Sequence, residues 1–300
     1  MTDTTGDGAE APPKGERIAK RLARAGLCSR RDAERWIAEG RVAVDGVVLT
    51  SPAFNVDEGS IVMVDGKPLP DAAPTRLWRY HKPAGLVTSH RDEKGRATLF
   101  ETLPAELGRV ISVGRLDLTS EGLLLLTNDG ALARRLELPA MGWIRRYKVR
   151  VNGYVDPVKL LPLERGPTIE GIKYGPIKVE LERQQGANAW LTVSLTEGKN
   201  REIRRVFEHL GYAVNRLIRL SYGPFQLGSL AVGTVEEVPR KVLAEQLGDK
   251  APTHAKAKPV AKRPTTPRAA LPDHSTGKAK PKSRSSAPPS TRNRDADRRR

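Results

Sequence analysis

Apolar residues recur along this chain at three spacings, and each spacing predicts a different element. The first is helical. Ile18, Leu22 and Ala25 fall on one face, and Ala33, Trp36 and Ile37 on another, the recurrence of amphipathic helices. Gly26 stops the first helix, and Ser29 with Asp32 three residues on has capping-box spacing for the second. The second spacing is two. Valines alternate around Asp45-Gly46 in RVAVDGVVL, the dipeptide that a type I′ hairpin turn favours, and SIVMVDGKPL adds a strand and a second Asp-Gly. The third is an unbroken run, Leu123–Leu126, closed by Asn128-Asp129-Gly130, which reads as a buried strand.

Extended over the chain, these patterns predict an α+β protein in two parts. Residues 15–70 form two helices and a small sheet, and 71–75 are a linker by composition. Residues 76–247 carry mostly antiparallel strands at Leu77–Tyr80, Val110–Val113, Gly122–Thr127, Ile144–Val151, Ile177–Leu181 and Trp190–Leu195. Helices are expected at Ala131–Leu138, Pro157–Leu163 and Arg201–Leu210, the last stopped by Gly211. Residues 1–14 read as a flexible leader. From Asp249 to the end there are 15 Lys or Arg, 4 Asp, 8 of the 23 prolines and no aromatic residue. Such a segment cannot bury enough apolar area to offset its chain entropy, so 248–300 is expected to be a disordered basic tail.

Charge adds a partner. The net +17 points to a polyanion, nucleic acid or an acidic membrane surface. No apolar run approaches membrane-spanning length, and the polar N-terminus has no signal-peptide pattern. Cys28 is the only cysteine, so a disulfide framework is ruled out and a reducing cytoplasm is the expected setting. The five histidines are scattered without metal-ligand spacing, and there is no phosphate loop or dinucleotide fingerprint. Neither metal nor cofactor is expected. On the first two helices Lys20, Arg21, Arg24, Arg30, Arg31 and Arg35 outnumber the acids, which favours phosphate contact over a merely solvated face.

Three stretches carry candidate chemistry. Gly114-Arg115-Leu116-Asp117 lies on a loop between two strands; an Arg–Asp pair closing a turn would account for it equally. In RRYKVRVNG (145–153), Tyr147 alternates with basic residues, as a half-buried β aromatic would. In EGKNREIRRVFEHLG (197–211) charges crowd the start of one helix, the pattern of a solvated first turn or of a covered charged site.

Taken together and in order, HKPAGLVTSHRDEKGRATLFETLP (81–104), VGRLDLTSEGLLLLTNDGALARRLELP, RRYKVRVNG and LTEGKNREIRRVFEHLGYAVNRLIRLSYGPF resemble the RsuA-type family of ribosomal RNA pseudouridine synthases. The front end resembles an S4 RNA-binding domain. The resemblance spans about residues 15–235, and with its basic tail the chain is most similar to the B-type, large-subunit branch.

The resemblance implies an enzyme that detaches a uridine base from its ribose, turns it and rejoins it through carbon 5. Ribosomal RNA, 23S in the large-subunit branch, is the implied partner of a monomer that needs no cofactor. Asp117 carries over as nucleophile or base. A carboxylate ionised in a covered pocket needs a cation nearby, and Arg204 carries over as that cation, gripping it bidentately. Tyr147 carries over as the platform that stacks the flipped base, Leu217 as an apolar wall, and Arg115 as the side chain entering the vacated space. Two other readings remain compatible with the residues: a non-catalytic S4-type RNA-binding or ribosome-assembly factor, and a basic DNA-associated protein.

Overall fold

A computed structural model describes residues 15–248. The expected leader at 1–14 and residues 249–300 of the expected tail lie outside the described residues.

The N-terminal part has helices α1 (Ile18–Arg24) and α2 (Arg30–Ala38). Ser29 and Asp32 form the capping box at the start of α2, each side chain meeting the other's backbone N–H. A four-stranded sheet follows: β1 (Val42–Val44), β2 (Val47–Val48), β3 (Val62–Val64) and β4 (Lys67–Pro68), in the order β2-β1-β3-β4. Ile18, Leu22, Ala33, Ile37, Val42, Val44, Val62 and Val64 close one small core. Trp36 only borders it, and Ala19 rather than Ala25 is buried beside Ile18.

The second part is built on β5 (Leu77–Lys82), β6 (Ile111–Val113), β7 (Ser120–Thr127), α3 (Gly130–Glu137) and β8 (Arg145–Asn152). It continues through β9 (Ile177–Gln185), β10 (Asn188–Leu195), α4 (Glu202–His209), β11 (Ala213–Tyr222), β12 (Val235–Glu237) and α5 (Arg240–Leu247). The sheet order is β9-β10-β8-β11-β7-β5-β12, with β6 pairing on β7 and Phe225–Gln226 on β11. The architecture is α+β, and the pairing is antiparallel except between β11 and β7.

The run Leu123–Leu126 sits deep in this sheet and is buried on both faces. Leu123 and Leu125 pack under α3, while Leu124 and Leu126 meet Trp78, Tyr80 and Leu116 on the other side. A strand covered on both faces has no polar side to alternate with, which is why its sequence is continuous rather than period-two.

Several elements differ from the sequence expectation, β12 and α5 among them, and two of these bear on the site. Pro157–Arg165 is a 3-10 segment, not an α-helix, with Pro162 inside it; a proline removes the N–H that an α-helix would need there. The ten-residue β11 has no expected counterpart. Arg216 and Arg219 interrupt its apolar run, and its burial comes from neighbours distant in sequence.

Strand β11 is what joins the two halves of the sheet. It pairs with β8 on one side and runs parallel to β7 on the other, with Leu217 opposite Ser120 and Arg219 opposite Gly122. The approach at Gly122 is close. Its φ is +100°, and a Cβ there would lie 2.4 Å from the Arg219 carbonyl oxygen and 2.6 Å from its nitrogen. Gly122→Ala therefore combines an unfavourable φ with a backbone clash, and a loss of about 3 kcal/mol of stability is expected. Denaturant unfolding checks this: the midpoint should fall while the slope stays unchanged.

Candidate active site

The Gly114–Thr119 loop leaves β6 and enters β7, so both ends are anchored in buried strand. Gly114 turns the chain with φ +64°, and its N–H donates to Glu137 Oε1 at the end of α3, 2.7 Å away. Beneath the loop lies Lys82, fully buried. Its Nζ donates to the carbonyls of Pro83 (2.9 Å), Ser120 (3.0 Å) and Asp117 (3.3 Å). Burial lowers Lys82 to about 8, with the carboxylates of Asp117 and Glu121 opposing. A buried ammonium with three carbonyl acceptors fixes the backbone at the residue that carries the carboxylate.

A cavity of about 610 Å³ opens beside this loop. Arg115, Asp117, Tyr147 and Leu217 all line it. Tyr147 and Leu217 come from the adjacent strands β8 and β11, and both are buried. The Asp117 carboxylate is partly accessible, 23% exposed, with Arg201 Nη1 at 3.9 Å from Oδ2. Arg201 immediately precedes α4 in a left-handed conformation, φ 50° and ψ 30°. A non-glycine residue held there is strained backbone maintained by its surroundings.

Arg204 does not stand where the sequence placed it. Its guanidinium does not line the cavity or reach the Asp117 carboxylate; Nη1 donates to the Val214 carbonyl (3.0 Å) and Nη2 to that of Thr119 (3.2 Å). One turn into α4, its stem is directed under the Asp117 loop toward β11, and backbone oxygens reach the fork first. Burial, followed by the nearby charge of Arg201, holds it below the ordinary guanidinium range, and Asp117 opposes this. Arg204 is a clamp between the Asp117 loop and β11.

Further residues complete the cavity wall. Arg145 and Arg219 are both buried, and both pack against the Tyr222 ring, at 4.6 and 5.2 Å. Arg145 donates to the Thr196 carbonyl and to the Tyr222 hydroxyl, and Arg219 Nε donates to the Leu123 carbonyl at 2.7 Å. Glu202, also buried, accepts from the Lys199 N–H at 2.8 Å. Burial raises its carboxyl to about 7, the Lys199 N–H opposing and the neighbouring Glu197 adding. The Arg145 and Glu202 contacts hold the Glu197–Arg201 loop, which lines the cavity.

Known proteins resemble both parts of the chain. A family model described as RNA pseudouridylate synthase matches residues 76–209, and an S4 domain model matches 16–68. An uncharacterized RNA pseudouridine synthase of Rickettsia bellii is 51% identical over 227 residues, 76% of this chain and 98% of that protein. The chain belongs to the RNA pseudouridine synthase family. The ribosomal large subunit pseudouridine synthase B of Pseudomonas aeruginosa is 41% identical, covering 79% of this chain and 64% of that protein. Its Haemophilus influenzae namesake is 42% identical over 71% and 62%. A crystal structure of a pseudouridylate synthase shares the fold, with a TM-score of 0.56 at 23% identity, over 77% of this chain and all of that one.

The synthase is thus an isomerase with an S4 domain in front of it. Of the six S4 cations, Arg30 and Arg31 are exposed without an ion-pair or side-chain hydrogen-bond partner among the described residues. Lys20 and Arg21 lie within 3.5 Å of Glu16, and Arg35 pairs with Asp32 at 3.0 Å. Arg24 is a correction. It is only 11% exposed, bonded to Thr75 Oγ1 at 3.1 Å and paired with Asp129 at 3.5 Å. Asp129 also caps α3 by accepting from Ala131 and Leu132. At the end of α1, Arg24 reaches the second part of the molecule and fastens the two parts together, its guanidinium already engaged by a carboxylate.

Lys82, Arg145, Arg201, Glu202 and Arg219 are not among the residues that the motifs single out. Alternation gave a signal for Lys82, which shares a strand face with Trp78 and Tyr80. Alternation on β8 puts Arg145 on the side of Tyr147. Nothing local marks Arg219, because β11 itself was unrecognised.

Proposed function

We propose that this synthase isomerises a uridine to pseudouridine in ribosomal RNA, with 23S RNA of the large subunit as its target, in the cytoplasm and as a monomer. The choice of RNA rests on the B-type large-subunit relatives, and the buried free thiol of Cys28 suits a reducing compartment. The observation that carries the catalytic assignment is one cavity lined by the Asp117 carboxylate, the Tyr147 ring and the Leu217 side chain. At about 610 Å³ it lies in the range of small-molecule sites, so a single flipped nucleotide has room.

Each residue then has a separate task. Asp117 acts on the glycosidic carbon as nucleophile or base. Tyr147 receives the face of the extruded base, returning about 1–3 kcal/mol of the few kcal/mol that unstacking costs. Leu217 walls the other side, and Arg115 at the rim fills the space that the base leaves. Arg201 supplies the cation near Asp117, and Arg204 and Lys82 hold the loop from below. The basic S4 face contributes affinity through phosphates.

Mapping pseudouridine in ribosomal RNA from cells with and without the gene tests the function directly. One large-subunit site should lose its modification; an unchanged map would refute the reading. Arg204→Lys tests the clamp. One ammonium cannot span both carbonyls as a planar fork does, so kcat is expected to fall roughly 100-fold by loop misplacement while RNA affinity holds. Single-turnover kinetics with a binding titration separates these.

A further inference from the structure

A second cavity, about 310 Å³, lies where the S4 helices meet the catalytic part. Its wall includes Arg30 from the start of α2, Arg109 ahead of β6, and Arg134 from α3. None of these three side chains has an ion-pair or hydrogen-bond partner among the described residues. The two acids that line it are already engaged. Asp129, 1% exposed, is held by Thr75, Arg24 and the α3 N–H groups. Glu137 accepts the Gly114 N–H. Three guanidiniums with no ion-pair partner among the described residues therefore line one concavity, a local excess of positive charge that attracts an anion.

The position of the cavity says which anion. Arg134 and Glu137 line this cavity and the catalytic one alike. Helix α3, eight residues and about 12 Å long, is their common wall. An anion extended enough to reach from the S4 helices to the Asp117 loop can run through this cleft, and a polynucleotide is such an anion.

We propose that the cleft is a phosphate-binding site for substrate RNA, in which Arg30, Arg109 and Arg134 grip backbone phosphates between the S4 domain and the catalytic cavity. The site rests on the RNA-modifying function proposed above. It reads no base, since its donors are guanidiniums facing a backbone. Its role is to fix how far the flipped uridine lies from the S4 contact.

The test is a salt titration of binding to a labelled, unmodified hairpin of large-subunit RNA. The full chain is compared with Arg109→Gln/Arg134→Gln and with a control pair, Arg146→Gln/Arg150→Gln. The control removes the same charge from the face of β8 opposite Tyr147, where both side chains are exposed. If each arginine meets one phosphate, the cleft pair should flatten the log–log salt slope by about 1.5, and the control should flatten it far less. Thermal unfolding of each variant confirms that the fold is intact. An unchanged slope in a folded cleft variant would overturn the proposal, and so would a control that flattens it equally. A third arm titrates inorganic phosphate. Protection of the parent chain against heat by millimolar phosphate, lost in the cleft pair while the RNA slope is kept, would assign a free-anion site instead. These outcomes do not depend on turnover. A chain that binds the hairpin through the cleft yet modifies no uridine would refute the proposed function and leave the cleft standing.

Discussion

Asp117→Asn is expected to abolish pseudouridine formation, to below about one thousandth of the parent rate, while RNA binding persists. The substitution keeps the shape of the side chain and removes only the charge. The neighbouring scaffold does not depend on that charge: Lys82 and the Ser120 N–H bind the Asp117 backbone carbonyl, and Arg204 binds Thr119 and Val214. The loop should therefore keep its course. What is lost is a carboxylate in a cavity shared with Tyr147 and Leu217, and an amide can serve there neither as nucleophile nor as base. Single-turnover assays on a large-subunit RNA fragment, beside a binding titration, measure both quantities. Turnover near the parent rate would move the chemistry to another residue. Loss of binding together with turnover would make Asp117 a structural residue of the RNA surface.

The elements that could be read from the sequence are those whose pattern is set locally. The capping box at Ser29 and the Asp45-Gly46 and Asp65-Gly66 hairpins depend on residues a few positions apart. The buried strand at Leu123–Leu126 was legible because an uninterrupted apolar run has few other uses. Strand β11 was not legible. Arg216 is paired with Glu121, and Arg219 is buried against Tyr222 and the Leu123 carbonyl. Both arginines break the pattern for reasons that exist only once β7 lies alongside.

The candidate site divides the same way. Motif matching brought Arg115, Asp117, Tyr147 and Leu217 to one place, yet it gave Arg204 the wrong partner. Motif position fixes which helix and turn carry a guanidinium, but not which acceptor its fork meets first. Here that acceptor is the backbone, and Arg201, at the strained entrance to α4, is nearer the carboxylate. Arg24 shows the converse. A basic residue on a basic helix face reads as a phosphate contact until a buried aspartate from another part of the chain meets it.

Lys82→Met is expected to lower kcat roughly 100-fold and to weaken a pH dependence expected of the parent enzyme in two opposite senses. The lysine sits fully buried under the Asp117 loop with three carbonyl acceptors. Burial has lowered it to about 8 from an ordinary 10.5, with Asp117 and Glu121 opposing. The unfolded chain therefore binds a proton between pH 8 and 10.5 that the folded chain has released. Stability from this group must rise with pH across that window, by on the order of 3 kcal/mol, and be flat below it. Activity should run the other way. Above pH 8 the neutral amine has two protons for three carbonyls, and the cation behind Asp117 is gone, so the loop loosens and kcat falls. Methionine fills similar volume without a charge, and replacing a buried charge by an apolar side chain need not unfold a protein. The variant should thus fold, should show a smaller rise in stability between pH 8 and 10.5 than the parent, and should lack the descending limb of kcat. Denaturant unfolding and single-turnover rates at saturating RNA, each followed from pH 7 to 10, supply the two profiles. A variant that keeps the descending limb would assign that limb to another group. A variant with parental kcat at neutral pH would show that the loop holds its place without the ammonium beneath it.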